Sequence, residues 1–155
     1  MRVGTGYDVH PFKAGRDLVV GGVHIEHPRG LDGHSDADVL THAVIDALLG
    51  AAGLGDIGVL FPDTDARYSN ASSLDLLARA AGAVREAGFQ IVNVDSTVIA
   101  EEPRLQPHLR AMRAKLADRI GIEWKAVSVK ATSPEGIGAL GNRAGIAAQA
   151  VALIE

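Results

Sequence analysis

Asp8 and His10 stand two residues apart in the stretch Tyr7-Asp8-Val9-His10, and His42 follows on a later segment. In an extended strand successive side chains alternate faces, so Asp8 and His10 point the same way. Carboxylate and neutral imidazole are both usual zinc ligands, and a catalytic zinc takes three protein ligands with a fourth position left open. His42 offers the third ligand, because residues 36–52 read as a helix on which Asp38, His42 and Asp46 share one stripe. An Asp/His/His cation site with an open position is the chemistry this pattern suggests. The plainer alternative is a hydrogen-bonded Asp-x-His pair beside an ordinary helical histidine. One further feature favours the cation. Between Arg29 and Arg67 there is no Lys or Arg, yet Asp32, Asp36, Asp38, Asp46, Asp56, Asp63 and Asp65 all fall there. Carboxylates in so apolar a run need hydrogen bonds or cations wherever they are buried.

The elements that must position these residues can be read in order. Residues 1–9 form a first strand, with Gly4 and Gly6 keeping it slim. Leu18-Val19-Val20 and Val23-His24-Ile25 flank Gly21-Gly22, the pattern of a tight hairpin. A loop from His27 to Gly33 leads to His34-Ser35-Asp36-Ala37-Asp38, where Ser35 with Asp38 three residues on is an N-cap signature. The helix is therefore expected to start at that point, with free N–H groups able to hold a phosphate. Gly50, Gly53 and Gly55 end it. The stretch Gly55-Asp56-Ile57-Gly58 through Asp65 reads as a loop able to carry binding residues. Ser72 with Asp75 caps a second helix running to Gly88, a strand covers 89–99, and Pro103 and Pro107 mark a loop before a third helix carrying Met112, Leu116 and Ile120. Residues 126–131 read as a strand ending in Thr132-Ser133-Pro134-Glu135-Gly136. Hydroxyls and a carboxylate there could meet a phosphate and its Mg²⁺, or simply make a turn. Gly145 to Glu155 reads as a last strand.

The 155 residues suit a single domain over 1–155, large enough to bury roughly 70% of the unfolded chain's surface. With 15 basic and 19 acidic residues and no basic run, neither nucleic-acid nor membrane-surface binding is expected. The absence of cysteine excludes thiol catalysis, disulfides and thiolate metal sites, and fits a cytoplasmic location. No window approaches the roughly 18 apolar residues that span a bilayer.

Read together, Gly6-Tyr7-Asp8-Val9-His10, His34-Ser35-Asp36-Ala37-Asp38, His42, Asp46-Ala47-Leu48-Leu49-Gly50, Gly55-Asp56-Ile57-Gly58, Phe61-Pro62-Asp63-Thr64-Asp65 and Lys130-Ala131-Thr132 resemble the 2-C-methyl-D-erythritol 2,4-cyclodiphosphate synthase family. The likeness covers essentially the whole chain. It implies an α/β (α+β) fold whose mixed sheet carries helices on one face, with sheets packed around a threefold axis in a homotrimer and active sites between subunits. Small residues in the last strand would let those sheets approach. The likeness further implies zinc, or another divalent transition metal, on Asp8, His10 and His42, and magnesium on Glu135. His34 and Ser133 would serve catalysis. Ser35 would help seat the attacking phosphate, and Thr132, Ser133 and Glu135 would meet the diphosphate. Asp56, Ile57 and Gly58 would take the ribose region, and Phe61, Asp63 and Asp65 the erythritol. Ala100, Arg104, Leu105 and Gln106 would read the cytosine. Asp46, one turn beyond His42, is expected to support that histidine.

The implied reaction is intramolecular phosphoryl transfer in a cytidine diphosphate substrate, releasing CMP. Two rivals share these residues: a metal-dependent phosphohydrolase and a nucleotide-binding trimer without turnover. Three departures from the family pattern stand out. Ala37 replaces a usual glycine and Ser133 a usual threonine. Across Ala139 to Ala144 many members carry an aromatic followed by Thr-Gly-Arg-Gly-Glu, with the arginine lining an axial cavity open to isoprenoid diphosphates. Here Arg143 is shifted by one, which on a strand would turn it to the other face.

Overall fold

The computed structural model describes residues 1–62, 64, 65, 68 and 71–155. Strand β1 (Arg2–Ala14) leads into the short strands β2 (Leu18–Val20), β3 (Val23–Ile25) and β4 (Arg29–Leu31). Helices α1 (Val39–Ala52), α2 (Ile57–Leu60) and α3 (Ser73–Glu86) follow, then β5 (Ile91–Ile99), α4 (Leu109–Ile120), β6 (Val127–Thr132), α5 (Gly138–Gly141) and β7 (Gly145–Ile154). The main sheet runs β4-β1-β7-β5-β6, antiparallel except for the β5–β6 pair, and β2–β3 is a separate ribbon. The expected mixed sheet is present. Strand β1 extends five residues past the expected end, because Phe12, Lys13 and Ala14 pair with β4, a short strand within the expected 27–33 loop.

Alternation along β1 buries Gly4 and Gly6 and half-buries Asp8 and His10 on one face, leaving Val3, Thr5, Tyr7 and Val9 on the other. Helix α1 lies directly on the first face. A Cβ at Gly4 would collide with the Ala47 carbonyl oxygen, and one at Gly6 with that of Ala43. The contacts therefore descend one helical turn for every two strand residues. Four helical residues rise about 6 Å and two strand residues about 6.6 Å, so the two ladders stay in step. Two residues beyond Gly6 the Asp8 side chain lies on the same face and reaches His42, the neighbour of Ala43 on α1, at 3.0 Å. Ala148, Ala150 and Ala152 of β7 pair with Asp8, Gly6 and Gly4 and so lie under the same helix. Within the chain, these small residues of the last strand admit α1.

Helix α1 begins at Val39 with Asp38 as N-cap, three residues later than expected, so Ser35 is not the cap. The reason lies in the ribbon. Gly21 and Gly22 form its turn at φ 57° and 71°, the geometry that a two-residue type I′ turn demands of glycine. Their N–H groups donate to Asp38 Oδ1 and Oδ2 at 2.8 and 2.6 Å. Thr41 adds its N–H to Oδ1 and its hydroxyl to Oδ2. Burial pushes the Asp38 pKa up, but four donors and no acceptor are what an ionised carboxylate requires. The N–H groups expected to be free for a phosphate at this helix start are thus already engaged in part by Asp38.

Helix α3 begins at Ser73 after Ser72, whose side chain makes no capping bond. Leu74, Leu77, Ala81 and Val84 of α3, Met112, Leu116 and Ile120 of α4, and the apolar face of the sheet close a single core cluster around α1. Among the described residues no helix is long and apolar enough to cross a membrane.

Candidate active site

Two clefts flank the sheet. The first, of about 400 Å³, is lined by Asp8, His10, His34, Ser35, His42, Asp46, Ile57, Gly58, Phe61, Pro62, Tyr68 and Leu76. At its floor β1 and α1 meet as their register dictates. Asp8 Oδ2 lies 2.9 Å from His10 Nε2 and 3.0 Å from His42 Nδ1, and the two imidazole nitrogens are 3.3 Å apart. Among the described residues these three form the group able to hold a metal ion.

The donor set itself fits a cation. His10 Nδ1 sits 2.7 Å from the Asp32 carbonyl oxygen, which can only accept, so Nδ1 carries the proton and Nε2 offers a lone pair. A carboxylate oxygen beside two such nitrogens brings only lone pairs to the same point. Without a cation, the three can share the space only by drawing a proton onto an imidazole. Burial alone would raise the Asp8 carboxyl and lower His10. The hydrogen bond and charge between them outweigh it, holding Asp8 far below the carboxylate range and His10 above the ordinary imidazole value. Asp8, His10 and His42 would hold a divalent cation at that point, which would offset the same charge.

The walls come from other elements. Ile57 and Gly58 belong to α2, whose first residue donates its N–H to Asp46 Oδ1 at 2.8 Å. Asp46 therefore anchors α2 and is not the hydrogen-bond partner expected for His42. That partner is Ser73 Oγ, 2.8 Å from His42 Nε2, with Ser35 Oγ at 3.0 Å. Ser73 was absent from the sequence reading; it opens α3 31 residues further on, and only its place one residue after an expected cap could have drawn attention to it. Asp56 caps α2 through Val59 N–H at 3.0 Å and is exposed. Phe61 packs edge-on against Tyr68. Asp65 is half-buried in the turn beyond, and Asp63 lies outside the described residues. His34 is exposed at the rim.

The second cleft, of about 270 Å³, is lined by Ala100, Glu101, Pro103, Arg104, Leu105, Gln106, Ala131, Thr132 and Ser133. It gathers six of the remaining residues singled out in the sequence and shares none with the first. Ser133 Oγ donates to Glu101 Oε2 at 3.1 Å and accepts the Glu135 N–H at 2.9 Å. Glu135 is exposed, sits at φ 54°, and is not part of the Asp8/His10/His42 group. Arg143 is on no strand, which corrects the expected change of face. It occupies the turn before β7 at φ 60°, with Nε 3.4 Å from Glu102 Oε2. Ala37, where the family usually has glycine, has φ 55°, a region glycine enters without strain.

The chain is a mixed α/β protein in which a carboxylate and two imidazoles converge in a cleft, a ligand set of the kind that can hold a metal ion. The chain belongs to the YgbB family, whose model matches residues 1–155. It is 59% identical over 155 residues to the 2-C-methyl-D-erythritol 2,4-cyclodiphosphate synthase of Syntrophomonas wolfei, covering 100% of this chain and 99% of that one. It is 56% identical over 154 residues to the synthase of the same name from Desulfosudis oleivorans, covering 99% and 92%. Among solved structures it resembles a 2C-methyl-D-erythritol-2,4-cyclodiphosphate synthase in a CDP-bound form, with TM-score 0.91 and 34% identity over 99% of this chain and 100% of that one. It also resembles the bifunctional IspDF of Campylobacter jejuni, with TM-score 0.95 and 43% identity; there it covers 99% of this chain but spans only 42% of the longer one.

Proposed function

We propose that this chain converts 4-diphosphocytidyl-2-C-methyl-D-erythritol 2-phosphate to 2-C-methyl-D-erythritol 2,4-cyclodiphosphate and CMP, a step in isoprenoid precursor synthesis. The observation that carries this reading is the convergence of Asp8, His10 and His42 on one point at the floor of a cleft. A 2-phosphate oxygen attacks the β-phosphorus, the bond from that phosphorus to the CMP oxygen breaks, and no water is consumed. Phosphate is already a nucleophile, so the chain needs no serine or cysteine to attack. Its task is to align two phosphates and offset their charge.

Asp8, His10 and His42 would hold a divalent cation, zinc being the natural choice for this ligand set, and the cation would supply Lewis-acid stabilisation of the β-phosphate. His34 and Ser35, on the rim and wall of the same cleft, seat the attacking phosphate. Ile57, Gly58 and Phe61 form the wall for the erythritol and ribose. In the second cleft Ala100, Arg104, Leu105 and Gln106 receive the cytosine, and Thr132 and Ser133 present hydroxyls to the diphosphate. Glu135, exposed beside them, is the carboxylate for magnesium.

The two clefts share no lining residue, and the face of the sheet turned away from α1 leaves Val3, Tyr7, Val9 and Val151 exposed. Both features support a homotrimer packed through that face, in which the cation cleft of one copy meets the nucleotide cleft of the next. Phosphorus NMR of the products tests the activity. A cyclic diphosphate with CMP is expected, and a linear phosphate with free orthophosphate would establish hydrolysis instead.

A further inference from the structure

His42 carries a hydrogen-bonded chain on the side away from the cation point. Its Nε2 lies 2.8 Å from Ser73 Oγ. Ser73 Oγ is in turn in a short hydrogen bond with Asp36 Oδ1, and the Ser73 N–H donates to Asp36 Oδ2 at 3.1 Å. Directions follow from the end of the chain. The Asp36 carboxylate only accepts, so the Ser73 hydroxyl gives its proton to Asp36 and must accept from His42. His42 therefore carries its proton on Nε2 and turns a lone pair on Nδ1 toward Asp8 and His10. Ser35 Oγ, 3.0 Å from the same nitrogen, is the lesser partner, because it accepts the Ala37 N–H and has no carboxylate of its own.

The relay is built rather than incidental. Ser73 is fully buried, and Asp36 takes the place of the missing Ser72 cap by accepting the N–H of the first residue of α3. It also accepts the Asp38 N–H at 3.2 Å. One carboxylate thus ties the loop before α1 to the start of α3, and holds the hydroxyl that orients a ligand on α1.

We propose that Ser73 and Asp36 are positioning residues that fix the tautomer and ring orientation of His42 and so set the affinity of the cation site. The inference rests on the cation reading given above. Partners of this kind typically change metal affinity by about 10- to 100-fold. Co²⁺ titration against a competing chelator, followed by visible absorption, tests it in the full chain. Ser73→Ala and Asp36→Asn are expected to weaken Co²⁺ by about tenfold or more and alter the ligand-field bands, with Ser73→Thr recovering most of the loss. Ser73→Ala shortens the side chain without adding bulk and decides the matter should Asp36→Asn fail to fold. Unchanged Co²⁺ affinity and spectrum in Ser73→Ala would overturn the proposal, as would lower thermal stability of the metal-free protein with Co²⁺ affinity intact, which marks a packing role alone. Absence of Co²⁺ binding by the unmodified chain would bring down the cation site itself.

Discussion

At the scale of single residues, protonation is decided by what each polar atom faces. His10 is oriented by the Asp32 backbone carbonyl, a partner that residue types alone do not show, and Asp8 is kept ionised by two imidazoles. The same reasoning applies to Glu102, at the entrance to the 100–106 segment. It accepts from Arg29 Nη2 at 2.9 Å and has His27 and Arg143 within 3.4 Å. The Arg29 hydrogen bond leads in holding its pKa below the ordinary value of 4.5, with Arg143 and His27 adding to it against slight burial. A depressed carboxyl pKa stabilises the fold above the ordinary value, and that contribution disappears as pH falls through the lower folded one. Glu102→Gln should therefore lower stability near pH 7, by no more than about 1 kcal/mol because solvent screens the cluster. The difference should shrink to nothing in acid below the folded value. Denaturant midpoints of both proteins from about pH 2 to about pH 8 check this; a gap that widened in acid would reverse the assigned sign.

At the scale of elements, the site depends on how closely α1 rides on β1. Because Gly4 and Gly6 carry no side chains, α1 lies close enough to β1 for Asp8 to reach His42 at 3.0 Å. Gly6→Ala drives a methyl into the Ala43 carbonyl and should cost about 2–3 kcal/mol or more, as overpacking does. It should also weaken cation binding, since His42 moves away from His10. Equilibrium unfolding together with metal content measures both, and an unchanged metal content at lowered stability would separate the two effects. The hairpin acts at the same level: its Gly21-Gly22 turn and the Asp38 cap are one unit, which is why α1 starts at Val39 and leaves His34 and Ser35 to line the first cleft.

At the scale of the whole molecule, one face of the main sheet is covered by α1 and the other is bare. Val151, cross-strand from Thr5 and Asp95 on the bare face, lies in the proposed contact between copies. Val151→Lys should yield monomers by sedimentation, with cyclisation lost and metal content unchanged, because the residue faces away from α1. A trimer that persists with full activity would contradict the proposed assembly. Residue order alone is enough for the long strands, for α1, α3 and α4, for the Gly-Gly hairpin and for the Asp8/His10/His42 set, but not for the short elements β4 and α2, which fall in stretches that read as loops. Periodicity, turn chemistry and ligand identity are local properties, written in residues a few positions apart. Only the tertiary structure decided that Asp38 rather than Ser35 caps α1, that Asp46 holds α2, that Arg143 turns to Glu102, and that Ser73 and Asp36 stand behind His42. Each of those is a hydrogen bond or ion pair between groups distant in the chain or between competing neighbours. Which of several capable partners a polar atom takes depends on the packing of apolar faces that brings them within about 3 Å.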